Sequence, residues 1–414
     1  MNFFASKPST AKTLIIKNQQ EKAKNMIYYF KERNDSMKII GIIAEYNPLH
    51  LGHIYQIKKT KELYPDSLII LITNTNFTQR GDVSILNKTN KTKLALENDI
   101  DLVVELPFGY ATQSADIFAA GALEILNHLH IDTLIFGSET NDLQKLINIA
   151  NTQLNNQKYN HLVKKHLSTG MNYPTALNKA LKELTGLSIT EPNDLLGVSY
   201  IKEIIKNNYK INPICIQRIG SYHAKEATLN IANATLIREK FLKNEEIEKY
   251  IPQNEEQLLI KNLSLNNYFP YLKYKILSTK NLSIYQTTEE GIQNRIKKEI
   301  NKSNTWEDLV QNIKTKRYTY NRINRMLIHI LTSFTKEEAN NLKIDYIRIL
   351  GFNIKGKTYL NQIKKNLSLP LITSYKKNIS PLLDIELRAN SIYYLPINES
   401  KIKEEYMIKP IIKK

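Results

Sequence analysis

The chain has 414 residues, 42% of them hydrophobic, with 13 Gly and 13 Pro, which suits two or three globular domains and excludes a disordered chain. No apolar run is long enough to cross a bilayer, and the single cysteine, Cys215, excludes an internal disulfide framework and a Cys-based zinc cluster, so a reducing, cytoplasmic setting is expected. The formal net charge of +18, from 58 Lys+Arg against 40 Asp+Glu, favours a polyanionic partner, although Lys, Asn and Ile are abundant throughout and part of the surplus is compositional.

Residues 1–36 are polar and Lys/Asn-rich and lack the apolar core of a secretory signal. They are expected to be a flexible arm or a spurious extension, with Met37, directly before the first strong strand, as the start. From Lys38 to about Glu139, short apolar runs alternate with helical periodicity. Ile39–Ile43, Leu68–Ile72, Leu102–Glu105 and Thr133–Phe136 read as strands buried on both faces. Ala115, Phe118, Ala119, Ala122, Leu126 and Leu129 form one apolar stripe of a helix laid on the sheet. This alternation predicts an α/β fold, a doubly wound parallel Rossmann-like sheet with ligands at the carboxyl ends of its strands. Residues 141–250 read as mainly helical, interrupted by the run Pro213–Ile216. Residues 251–338 also read as helical, with Tyr318, Arg322, Arg325 and His329 on one face. In the tail, Tyr346–Leu350, a helix over 357–366 and Leu369–Thr373 read as a small βαβ unit.

The sharpest motif, Glu45-Tyr46-Asn47-Pro48-Leu49-His50-Leu51-Gly52-His53, directly follows the first strand. Pro48 stops the strand, and a helix is expected to open near Leu51. His50 and His53, three apart, point the same way at that helix start. Gly52 removes a side chain that would hold a nucleotide off the backbone. A helix N-terminus favours phosphate, and two imidazoles there can donate to charge growing on phosphate oxygens during displacement at an α-phosphorus. Two surface histidines, or a pair binding a metal, are the competing readings.

The segment Gly41–His53 resembles the signature of the HxGH nucleotidyltransferase superfamily. More closely, the chain resembles the bacterial tRNA(Met) cytidine acetate ligase family. The likeness runs through Asn76–Gly81, Asp101–Pro107, Ala111–Ala115, Phe136–Glu139, Asn193–Gly197, Gln217–Gly220 and Lys316–Thr319, and covers nearly everything from Met37 onward. It implies ATP contacts along Ile43, Ala44, Glu45, Tyr46, Asn47, Pro48, Leu49, His50, Leu51, Gly52, His53, Ile54, Tyr55 and Gln56, and at Gly137, Asn193, Arg218 and Ile219. His50 and His53 are the expected catalytic pair, and no metal-ligating residue is expected.

Read physically, Arg80 after the second strand suits phosphate or RNA backbone, or equally a solvated loop. Gly137 and Ser138 end the fourth strand, where Gly allows a base or ribose to approach, or simply makes a turn. Asn193 is placed to cap a helix beginning at Asp194. Two positions depart from the family pattern. Asn233, ahead of Thr235-Leu236-Ile237-Arg238, stands where serine is usual and should cap equally well. Lys91 stands where arginine is usual, which keeps charge but loses bidentate geometry. Lys314, Lys316, Arg317, Arg322 and Arg325, interleaved with Tyr318 and Tyr320, suit RNA phosphates with some stacking, or a solvated basic helix.

Domains are expected at 37–250 (ATP-binding, with a helical insertion) and 251–414 (mainly helical, tRNA-binding). The resemblance implies a two-step ligation. Acetate attacks ATP to give acetyl-adenylate, with Mg²⁺ escorting the triphosphate, and the wobble cytidine N4 of elongator tRNA(Met) then takes the acetyl group. No membrane and no obligatory protein partner are expected. The alternatives are adenylyl transfer to a small metabolite, and a non-catalytic RNA-binding protein that keeps a nucleotide fold.

Overall fold

Residues 37–219, 231–253, 255–289, 291–375 and 379–414 are described by the computed structural model. The 1–36 extension and Gly220 of the Gln217–Gly220 block lie outside the described residues. The apolar runs form β1 (Ile39–Ile43), β2 (Leu68–Asn74), β3 (Leu102–Leu106) and β4 (Thr133–Ser138), and Pro213–Ile216 lies within β5 (Asn212–Gln217). All five run parallel. Two aspartates fix the register where strands begin: Asp132 Oδ2 accepts Ile39 N at 2.9 Å, and Asp101 Oδ2 accepts Ile69 N at 2.8 Å. β2 and β4 extend past their apolar runs into Thr73–Asn74 and Gly137–Ser138, where β3 pairs with the first and β5 with the second.

With β6 (Ile347–Phe352), β7 (Leu371–Ile372) and β8 (Ile411–Ile412), the strand order is β5-β4-β1-β2-β3-β6-β7, with β8 also on β6. Strand order therefore reverses between β1 and β4, which opens a crevice at their carboxyl ends. Helix Ala115–His128 lies so close on the sheet that a Cβ at Gly41 of β1 would sit 2.7 Å from Ile131 Cδ1 and 3.1 Å from Leu126.

The tail does form a βαβ unit, with β6 (Ile347–Phe352), helix Ile354–Ile363 and β7 (Leu371–Ile372). The unit extends the main sheet, since β6 pairs antiparallel with β3, and β8 (Ile411–Ile412) pairs parallel with β6. Its helix begins at Ile354 rather than 357, because Asn353 Oδ1 caps Gly356 N at 2.9 Å.

Helices Leu143–Asn155, Gln157–Ser168, Tyr173–Thr185 and Pro192–Lys206 fill the span between β4 and β5. Downstream, helices Phe269–Ser278, Ile292–Glu299, Trp306–Ile313 and Tyr320–Leu331 enclose a second apolar core around Trp306 and Phe334. Among the described residues no helix is long and apolar enough to cross a membrane.

The two cores meet over a buried polar seam. Lys88 Nζ pairs with Glu405 and lies 3.8 Å from Glu105, while Arg348 bridges Glu105 and Glu405 at 3.2 Å each. Glu386 accepts Thr75 Oγ1 at 2.7 Å and Phe108 N at 2.6 Å, and Asn390 Oδ1 accepts Asn76 Nδ2 at 2.7 Å. Charges buried to this degree persist only when paired this closely.

Candidate active site

The signature loop is pinned from below. Asn47 Oδ1 accepts Ile85 N at 2.9 Å, its Nδ2 donates to Val83 O at 3.1 Å, and Arg238 Nη1 donates to Asn47 O at 2.8 Å. Tyr46, at φ +45°, turns the chain out of β1 and buries its ring beneath the loop. Helix Leu51–Leu63 then opens with the two histidines as a reciprocal cap: His50 Nδ1 accepts Gly52 N at 3.1 Å, and His53 Nδ1 accepts His50 N at 3.2 Å.

That cap fixes the protonation of both rings. Each Nδ1 is an acceptor, so in the neutral form each proton sits on Nε2. The rings stack at 3.8 Å between centroids with 24° between planes. Burial, followed by the fields of Arg218 and Arg238, brings His50 down to about 3. Burial, followed by His50 and Arg218, holds His53 well below the ordinary imidazole value. Both rings line a partly open cleft with Gly52, Tyr55, Gln56, Gly137, Ile216–Ile219, Ile231, Ala232 and Asn233. Each ring therefore has one Nε2–H donor not used by the cap.

Gly52 has a different reason from the one its sequence position suggests. A Cβ there would lie 2.9 Å from Cε1 and Nδ1 of His50, so glycine makes room for the capping ring itself.

Three guanidiniums lie around this crevice, Arg218 in its lining and Arg80 and Arg238 close enough for their fields to be felt there. Arg218 is held at the end of β5 by Glu139, 3.7 Å from its Nε, and its Nη1 reaches Asn193 Oδ1 at 3.5 Å. Arg238 pairs with Asp82 at 3.3 Å. Burial lowers the pKa of Arg80, opposed by Glu45, and the fields of Arg238 and Arg218 act in the same direction as burial. Glu45 Oε1 accepts Gln79 N at 2.7 Å and Asn74 Nδ2 at 3.0 Å, which ties the loop after β2 to the end of β1.

At the end of β4, the buried Asp194 carboxylate organises the turn. Its Oδ1 accepts Ser138 Oγ at 2.5 Å and Glu139 N at 3.0 Å, and its Oδ2 accepts Thr140 N at 3.2 Å. Asn193 is not the helix cap. The helix starts at Pro192 with Glu191 at the cap position, which leaves the Asn193 amide to donate to Glu139 at 2.5 Å and accept from Arg218. A proline at the first helical position has no N–H to satisfy, so the start shifts to it.

The sequence-derived residues thus divide. His50, Gly52, His53, Tyr55, Gln56, Gly137, Arg218 and Ile219 line the cleft. Tyr46, Asn47, Pro48 and Leu49 are buried behind it, and Ile43, Ala44, Glu45, Leu51 and Ile54 are partly buried around the loop. Asn193 stands one residue back, through Arg218. Asn233 caps helix Ala234–Leu242 by accepting Leu236 N at 2.9 Å, as serine would.

Two cations serve inward roles. Lys91 is fully buried, and its three ammonium donors meet Asn74 Oδ1 at 3.0 Å, Thr75 O at 2.8 Å and Asn74 O at 3.4 Å. The expected basic RNA-facing helix is corrected in part. Arg325 Nη1 donates to Gln79 O at 3.2 Å, with burial lowering its pKa to about 10. His329 is buried with Nε2 2.8 Å from Thr112 O. Arg322 covers the Tyr318 ring at 4.7 Å and lies 3.7 Å from Glu289. Lys316, Arg317 and Tyr320 remain exposed.

The family model described as HIGH Nucleotidyl Transferase matches residues 37–407. A tRNA(Met) cytidine acetate ligase of Geobacillus sp. (strain WCH70) is 37% identical over 401 residues, 91% of this chain and 100% of that protein. Its namesake in Bacillus subtilis (strain 168) is 36% identical, with 88% of this chain and 93% of that protein covered. Among solved structures, Thermotoga maritima TmcAL without ligand superposes with a TM-score of 0.84 at 26% identity, covering 91% of this chain and 99% of that one. The same protein bound with alpha-thio ATP gives 0.82 at 27% identity, with the same coverage.

Proposed function

The chain belongs to the HIGH nucleotidyl transferase family and, within it, to the tRNA(Met) cytidine acetate ligases, and from that premise we propose that it binds ATP in the β1/β4 crevice, activates acetate and acetylates a tRNA(Met) cytidine. In the first step an acetate oxygen attacks the α-phosphorus, the bond from Pα to the bridging oxygen breaks, and pyrophosphate leaves with that oxygen. In the second, the N4 amine of the wobble cytidine attacks the acetyl carbon, the carbon–oxygen bond to phosphate breaks, and AMP leaves as N4 gives up a proton.

The observation that carries this reading is the stacked pair of neutral rings. The reciprocal cap occupies both Nδ1 atoms, which leaves both Nε2–H groups available at the cleft. Preorganised donors in a site shielded from water stabilise charge that grows on phosphate oxygens. Neutrality matters here, because a ring that donates without changing its own protonation makes the stabilisation independent of proton uptake. Arg218, Arg80 and Arg238 supply the positive field that holds a polyphosphate, and Glu139 and Asp82 keep two of those guanidiniums in place. Gly137, packed 3.0 Å from Arg218 Cγ at the point where a Cβ would stand, keeps that side chain along the cleft wall.

Mg²⁺ fits this site as an ion carried on phosphate oxygens and water, where it would offset triphosphate charge. Among the described residues no group of three His, Cys, Asp or Glu side chains is arranged to hold a metal. The 251–414 region is the proposed tRNA-binding part, and ATP and tRNA together imply a cytoplasmic setting.

The test is incubation with ATP, labelled acetate and tRNA(Met), followed by nucleoside analysis. Label should enter N4-acetylcytidine only when ATP is present, and His50→Ala should abolish it. Incorporation from acetyl-CoA but never from acetate with ATP would overturn the proposal.

A further inference from the structure

We infer that the outer face of helix Phe269–Ser278 is an RNA-docking surface, on which unstacked bases lie against Tyr271 and Tyr274. The inference rests on the tRNA reading above and gives that partner a location. Leu272 and Ile276 anchor the helix in the second core. Its other side carries Tyr271, Tyr274 and Leu277 at intervals of three, so they form one strip, exposed by 39%, 75% and 56%. A tyrosine three-quarters exposed contributes nothing to the fold that its position explains.

The surroundings select the partner. No acidic residue occurs between Glu256 and Glu289, while Lys261, Lys273, Lys275 and Lys280 fall within that stretch. Lys297 of the neighbouring helix donates to Lys280 O, and Lys298 beside it is exposed. Aromatic faces set among these lysines provide stacking platforms with phosphate counter-charges, the combination that holds single-stranded nucleic acid without reading its sequence.

The strip is also mechanically joined to the cleft. Its helix shares a core with helix Tyr320–Leu331, whose Arg325 donates to Gln79 O, and Gln79 N donates to Glu45 of the signature loop. This surface lay outside the basic cluster picked from the sequence, because its signal is exposure of aromatics and an absence of acids rather than a run of arginines.

The experiment compares the full-length chain with Tyr271→Ala/Tyr274→Ala and with Tyr274→Phe. Affinity for a tRNA(Met) transcript is measured by filter binding, and acetate-dependent ATP–pyrophosphate exchange is measured without tRNA. The double alanine variant should bind the transcript at least about thirtyfold more weakly, the lower end for losing two stacked bases. Its exchange rate should match wild type, and Tyr274→Phe, which keeps the ring face, should bind like wild type. Unchanged affinity in the double variant overturns the surface assignment, and it does so equally if the variant's oligomeric state shifts instead, which would make the strip a protein contact. Wild-type protein that binds no tRNA at all would instead bring down the tRNA reading, and this surface with it.

Discussion

Replacing Gly52 with alanine tests the catalytic geometry without removing a catalytic group. The new Cβ would stand 2.9 Å from both Cε1 and Nδ1 of His50, against ordinary carbon contacts of about 3.5–4.0 Å. The ring must therefore retreat by roughly 0.6 Å or more, taking that contact range as the target. It has little room to do so, since it is buried, stacked on His53 at 3.8 Å and hydrogen-bonded to Gly52 N. Moving it breaks the cap and shifts its Nε2–H from the phosphate. A displacement near 1 Å at a reacting centre costs about a hundredfold in rate, and loss of one preorganised donor about 10²–10³-fold. Acetate-dependent ATP–pyrophosphate exchange should thus fall by about two orders of magnitude. Folding should register the change much less than exchange does, because alanine's helix preference over glycine, up to about 1 kcal/mol, offsets part of the crowding and the lost cap. Exchange kinetics paired with a thermal melt separate the two effects. A folded variant that exchanges at the wild-type rate would refute the role given to the His50 ring.

Other perturbations probe the remaining supports. Arg218→Ala should raise the KM for ATP in pyrophosphate exchange by about ten- to a hundredfold, the value of a charge-assisted hydrogen bond, whereas Asn193→Ala should do less because Glu139 still holds the guanidinium. Arg348→Met leaves Glu105 and Glu405 buried with Lys88 alone between them. It should therefore lower unfolding free energy in denaturant titrations by about 3–5 kcal/mol. Acid should destabilise the protein early. Burial pushes His50 to about 3, His329 to about 4 and His53 well below its ordinary value, so below pH ~6.5 the unfolded chain binds protons that the folded one refuses. That stability is whole above pH ~6.5 and is lost as pH falls, by about 1.4 kcal/mol per unit for each ring. His329→Gln should flatten the dependence of melting temperature on pH between 6.5 and about 4, and an unchanged slope would contradict the assignment.

The parallel sheet was legible because β1 to β4 are largely buried on both faces, and such strands print themselves as short runs dominated by Ile, Leu and Val. The histidine pair was legible because a spacing of three at a helix start is local information. What sequence could not carry was the identity of each neighbour. Helical periodicity put Arg325 and His329 on one face, yet only the fold shows that this face is covered by Gln79 and Thr112. Asn193 was misread as a cap because Pro192, one residue earlier, takes the helix start. Strand β6 pairs with a segment some 250 residues away and runs against it, a pairing that local pattern does not encode.

These long-range contacts bear on why the two ends of the chain act together. Gly81, at φ +80°, packs so tightly that a Cβ would meet Arg325 N at 2.4 Å, and Arg325 Nη1 holds Gln79 O. The same short loop donates Gln79 N to Glu45, whose carboxylate also takes Asn74 Nδ2, while Lys91 fills the remaining acceptors of Asn74. Arg80, between Gln79 and Gly81, is thereby set in the field of Glu45, Arg218 and Arg238 by a helix that begins at Tyr320. The positive charge around the crevice is consequently completed by the downstream helical region. Any RNA contact that shifts helix Tyr320–Leu331 would act on Arg80 through a loop with no slack, because the glycine in it already touches the helix backbone.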